Sequence, residues 1–159
     1  MVHVFDAAGR PLGLPPVLLG LAVGDDSVPG IGSRKLADIR LAGRTTSAGR
    51  FASEPGRNLQ GEDIVWIDCD AAVSMHRVRA SNKAGRWLER LATLTAADNR
   101  ISCGCVDMPA AFYGALVKPV FGAWPAVIYV PPETRPVGTL PGLAGGTASG
   151  AAPLVAATP

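Results

Sequence analysis

The sequence predicts a mainly β domain with two short helices, and three observations carry that reading. Nineteen Gly and fourteen Pro among 159 residues, with only 6% aromatics, favour short strands broken by turns over a helical bundle. β-branched runs within 63–78 and 126–130 read as strands, and only 84–94 and 108–118 carry apolar residues at helical spacing. At 48% hydrophobic, the 159 residues suffice for one domain with a sizeable core.

Taken in order, Met1 to Phe5 alternates apolar and polar and runs into the turn Asp6-Ala7-Ala8-Gly9, a first strand. Leu12 to Val23 is the most apolar stretch, but Gly13, Pro15, Pro16 and Gly20 break it into strand or loop. Gly24 to Asn58 is rich in Gly, Pro, Ser, Asp and Arg and reads mostly as loop. Asp63-Ile-Val-Trp-Ile-Asp68 is a strand, and Ala72 to Val78 alternates behind it, with Ser74, His76 and Val78 on one side and Val73, Met75 and Arg77 on the other. Trp87, Leu88, Leu91 and Leu94 form the apolar side of the first helix, opposite Arg86, Glu89 and Arg90. The second helix is expected to be capped by Asp107, to take Pro109 in its first turn, to bury Phe112, Ala115 and Leu116, and to stop at Pro119. Ala126 to Val130 is the last strand. No charge follows Arg135, so residues 1–136 form the domain and 137–159, rich in Gly, Ala and Pro, a disordered tail.

A net charge of +2, from 15 Lys and Arg against 13 Asp and Glu scattered along the chain, supplies no footprint for nucleic acid or an anionic membrane. No stretch has the length of a membrane span, and no secretory signal is visible in the chain as given. Cys69, Cys103 and Cys105 are odd in number, which leaves at least one free thiol unless a pair forms between chains. A zinc site needs four ligands at metal spacing, and Cys103-Gly-Cys105 with the distant Cys69 and His76 has neither a C-x-x-C nor an H-x-x-x-H pair. No metal or other cofactor is expected.

Asn99-Arg-Ile-Ser-Cys-Gly-Cys-Val-Asp-Met-Pro109 has the grammar of a nucleophile loop. Cys105 follows a glycine and shortly precedes the expected helix, whose N-terminal partial charge would favour thiolate over thiol. Gly104 permits a tight turn that leaves amides free for an oxyanion. A base is also needed, and the chain has only His3, on the first strand, and His76. On residue chemistry alone, a small buried Cys105 and a structural His76 account for the same pattern.

More of the chain agrees with one family. Ser102-Cys103-Gly104-Cys105-Val106, followed by a helix and a Val-Ile-Tyr-Val strand, resembles the Ser/Thr-His-Gly-Cys-(Ile/Val)-(Arg/Asn) signature of the L,D-transpeptidase (YkuD-like) catalytic domains. Ala72-Val-Ser-Met-His76-Arg-Val resembles that family's histidine strand, and Arg44-Thr-Thr-Ser-Ala-Gly-Arg-Phe51 its Thr-Pro-x-Gly-x-Phe block. Asp98 to Ser102 and Val130-Pro-Pro-Glu133-Thr resemble a proteobacterial branch, and the likeness runs from about Val2 to Pro136. Cys103 stands where the family has His or Tyr, Asp107 where it has Arg or Asn, and Ser47 where it has Pro, and the interval from His76 to Ser102 is longer than in the compact motif.

The resemblance implies a mixed-sheet β-sandwich and a cysteine acyltransferase acting on peptidoglycan stem peptides through a thioester. It implies Cys105 as nucleophile, His76 as general base, the amides of Gly104 and Cys105 as oxyanion donors, and Ser102 as a brace for the imidazole or the loop. Arg100 is the expected ligand of the substrate carboxylate. It also implies a periplasmic or cell-envelope location and carbapenem β-lactams as inhibitors. Three alternatives stay open: a peptidoglycan-binding domain without turnover, an L,D-carboxypeptidase with water as acceptor, and a redox or metal module on Cys103-Gly-Cys105.

Overall fold

A computed structural model of the protein describes residues 1–79, 85–124 and 126–139. The chain is mainly sheet with few short helices. Its strands are β1 (Val4–Phe5), β2 (Pro11–Gly13), β3 (Leu19–Gly20), β4 (Gly49–Ala52), β5 (Glu54–Arg57), β6 (Asp63–Asp68), β7 (Val73–Arg77), β8 (Arg100–Ser102), β9 (Val106–Met108) and β10 (Val127–Val130). The largest sheet has the order β5-β6-β7-β9, antiparallel except for the parallel β7–β9 pair. A parallel pair needs a long crossover. Here the crossover carries helix α1 (Trp87–Ala92) and β8, which pairs parallel with β3. β1–β2 and β4–β10 are separate antiparallel pairs.

Alternation along β7 and β9 divides the large sheet into two faces. Val65, Ile67, Val73, Met75, Val106 and Met108 belong to the main core, closed by Tyr113 and Val117. A smaller cluster of Leu18, Val78 and Leu91, with Trp87 and Ile101 against it, packs separately. Leu18 also bridges to Asp107, exchanging both backbone hydrogen bonds at 2.8 and 3.0 Å.

Several expectations are corrected. Residues 24–58 are not only loop: three short 3-10 turns are followed by β4 and β5. β5 contains Pro55 and Gly56, which its place at the sheet edge tolerates because the outer side needs no donor. Asp107 does not cap the second helix but lies buried in β9, and Pro109 takes the capping position without a side-chain cap. The helix runs as α2 (Ala110–Phe112), a π turn (Tyr113–Val117) and α3 (Lys118–Phe121). Pro119 therefore does not end it, because the wide turn accommodates the missing donor at the start of α3. The π turn also moves the buried stripe to Tyr113 and Val117, leaving Ala115 exposed and Leu116 half-buried. In α1 only Leu91 is buried, while Leu88 is exposed and Leu94 lies exposed beyond the helix. Residue 84, assigned to that helix, lies outside the described residues. Of the expected tail, 137–139 form a 3-10 turn and 140–159 lie outside the described residues.

Candidate active site

The register of β7 and β9 builds the site. His76 sits directly opposite Asp107, and Met75 opposite Val106. Residues two apart on a strand share a face, so Ser74 and His76 on β7 meet Cys105 and Asp107 on the neighbouring chain segment. His76 Nδ1 lies 3.2 Å from Asp107 Oδ1. Ser74 Oγ lies 3.7 Å from Cys105 Sγ. The same sulfur is 3.7 Å from the carbonyl oxygen of Ala72, to which its thiol form donates. Ala72 turns the chain into β7 at φ 53°, a left-handed conformation uncommon for alanine.

The loop before Cys105 is held by two buried hydroxyls. Ser102 Oγ accepts from Gly104 N at 3.1 Å and donates to the Cys105 carbonyl at 2.6 Å. Thr46 Oγ1 accepts from Gly20 N and donates to the Gly104 carbonyl, both at 2.8 Å. Gly104 itself has φ 132°, and a Cβ there would stand 2.8 Å from the Thr45 carbonyl oxygen. A larger residue is therefore opposed by backbone conformation and by space at once. The Arg44–Phe51 block, singled out in the sequence, reaches the Ser102–Cys105 loop through the Thr46 contact.

Electrostatics separates the three cysteines, all of which are free. Burial pushes the Cys105 thiol up, but the hydrogen bond and charge of His76, with hydrogen bonds from Ser74, outweigh it and bring the thiol below its ordinary value. Burial likewise pulls the His76 imidazole down, and the hydrogen bonds and charges of Asp107 and Cys105 more than reverse this, raising it to about 10. With Nδ1 on Asp107, Nε2 is the ring nitrogen left for sulfur. Cys103 is pushed up, by burial and then by the Cys105 and Asp107 charges against the opposing Arg44, and stays a thiol. Cys69, on the surface, is also raised, by burial and by Glu54, Asp68 and Asp70. The helix does not supply the effect expected of it, because β9 stands between Cys105 and Ala110.

Two other expectations change. The amide of Gly104 is spent on Ser102 Oγ, so it braces the loop and is not free for an oxyanion. Arg100 is not an available cation: it pairs with Glu133 and donates to the carbonyls of Gly20 and Ala22, at 3.2 Å each. It thereby ties the Asn99–Ser102 segment to the 131–135 strap, whose backbone is held in turn by the buried Asp25 through Glu133 N at 2.5 Å and Thr134 N at 3.1 Å. His3 is exposed and stacks on Phe5, 6.3 Å between ring centres.

A groove of about 400 Å3 opens beside His76 and Asp107, walled by Trp87, Arg77, Arg79 and Glu62 among others. Its arginines are engaged, Arg77 with Asp63 and Arg79 with Glu62. Among the described residues no group of three or more His, Cys, Asp and Glu is placed to hold a metal ion, and no helix is long and apolar enough to cross a membrane. Sequence reasoning gave Ser74 no role and misplaced Asp107. Strand alternation from His76 does mark Ser74, whereas nothing in one strand's sequence tells which residue of another will face it. Compared with protein-family models, with curated proteins and with solved structures, the chain matches none of them.

Proposed function

We propose that the protein is a cysteine acyltransferase of the L,D-transpeptidase type, with that family's mixed-sheet sandwich, acting on peptidoglycan stem peptides in the bacterial periplasm or cell envelope. The observation that carries this reading is the β7–β9 register, which brings Ser74, His76 and Asp107 to Cys105 at the end of a loop that Thr46 and Ser102 brace. Three separately noted blocks, the histidine strand, the threonine block and the Ser-x-Gly-Cys loop, meet at this one place. The Cys105 thiolate attacks the carbonyl of the third stem residue; the S–C bond forms, the C–N bond to D-Ala breaks, and His76 gives its proton to the departing amine. An amine of a second stem, or water, then attacks the thioester, returns a proton to His76 and frees the sulfur. The Cys105 amide is the oxyanion donor this scheme uses, Gly104 being occupied.

Two measurements test the proposal together: release of D-Ala from a disaccharide-tetrapeptide, and intact mass after exposure to a carbapenem. D-Ala release and a covalent adduct, both lost in Cys105→Ala, are expected. A folded protein that gives neither product overturns the assignment and leaves the binding-domain alternative.

A further inference from the structure

We propose that Asp107 is the third member of the site, a positioning residue that fixes the ring of His76 through Nδ1 and holds a positive charge on the imidazole against Cys105. This rests on the reading of Cys105 as the nucleophile.

Register comes first. Asp107 and His76 are direct partners in the parallel β7–β9 pair, and Leu18 clamps the Asp107 backbone from the other edge, so the carboxylate has little freedom to turn away. Burial comes second. Asp107 is 3% exposed, and its Oδ2 is buried with no hydrogen-bond partner. A buried carboxylate with an unbonded oxygen is costly unless a positive charge stands beside it. The groove next to it is lined by Arg77, Arg79 and Glu62, and both guanidiniums are committed, to Asp63 and to Glu62. Trp87 from α1 brings no charge, and Ser74 and Cys105 bring no cation. Among these groups the imidazolium of His76 is the counter-ion, at 3.2 Å.

The resting site is then an imidazolium–thiolate pair, with the proton for the leaving amine already on His76. An amide at this position would still accept a hydrogen bond from Nδ1–H but would not supply the charge.

The test is the pH profile of Cys105 alkylation by iodoacetamide, read peptide by peptide so that exposed Cys69 serves as an internal control. In Asp107→Asn the acid limb is expected to rise by a pH unit or more, lowering the Cys105 rate at pH 7 by about tenfold with Cys69 unchanged. Asp107→Glu should restore part of the loss. A superimposable profile in Asp107→Asn overturns the proposal. Should that variant fail to fold, the 15N shifts of the His76 ring in the native protein at pH 8 decide: both nitrogens protonated supports it, one protonated overturns it. Alkylation needs no cell-wall substrate, so a shifted profile without D-Ala release would keep this role for Asp107 and remove the stem-peptide reading.

Discussion

The two faces of the β5–β6–β7–β9 sheet share a backbone and little else. On one, Val65, Met75, Val106 and Met108 pack under Tyr113 and Val117 in an apolar core. On the other, one residue along each strand, Ser74, His76 and Asp107 meet Cys105. The first face gains from excluding water from apolar area, where neighbours are interchangeable within limits of volume. The second depends on which atom faces which, and an exchange that preserves volume can still destroy it. The pleat thus lets stability and chemistry be altered separately at adjacent positions.

The largest expected effect breaks the polar face alone. Cys105→Ala should abolish D-Ala release, a loss of more than about a thousandfold, with the denaturation midpoint little changed. Cys103→Ala should retain most activity because that thiol stays protonated. Equal losses in the two variants would point to a shared role for the cysteines. On the apolar face, Met108→Ala should cost about 3 kcal/mol in urea unfolding while the Cys105 alkylation rate, measured well below the transition, holds. A parallel fall in both would show that the faces are not separable.

Smaller changes sharpen the comparison. Thr46→Ala removes a hydroxyl that joins β3 to the Gly104 turn and should cost about 1–2 kcal/mol, with a several-fold drop in kcat as that turn loosens. Stability measurements with kcat unchanged would confine Thr46 to a folding role. The pH dependence is the mildest probe. Cys105 is lowered and His76 raised to about 10, so activity should persist on the acid side of the ordinary thiol value and decline as pH rises through about 10. The imidazolium's contribution to stability has the same alkaline edge: it is full below the unfolded value of 6.5 and lost as pH rises through about 10. A rate that climbs steadily past pH 10 would contradict the ion pair.

The strands that frame the site were legible because Asp63–Asp68 is a compact β-branched and aromatic run and the residues of β7 alternate behind it, and both strands fall where those signals put them. β4 and β5 were not, since Gly49, Pro55 and Gly56 have low strand preference and are held by their partners β10 and β6. The helix at 110–121 was visible, but its inward side was not, because a π turn shifts the face by a fraction of a turn. Cys105 and His76 could be named from residue chemistry and resemblance. Asp107 shows the limit: an acid just ahead of a proline and a helical stretch looks like a cap, and only the pairing of β7 with β9 turns it toward a histidine.

That pairing joins segments far apart in the chain, with Ser74 and Cys105 separated by 31 positions. Contacts of this range form late relative to local turns, after the loop-closure entropy has been met. Until β9 docks, Cys105 is an ordinary cysteine, protonated at neutral pH and slow toward electrophiles. The lowering of this thiol is therefore a property of the finished tertiary structure. In a chain where β9 has not docked, the lowering of this thiol by His76 and Ser74 is absent, so the difference in Cys105 alkylation rate at pH 7 between native and unfolded protein reports whether the sheet is complete.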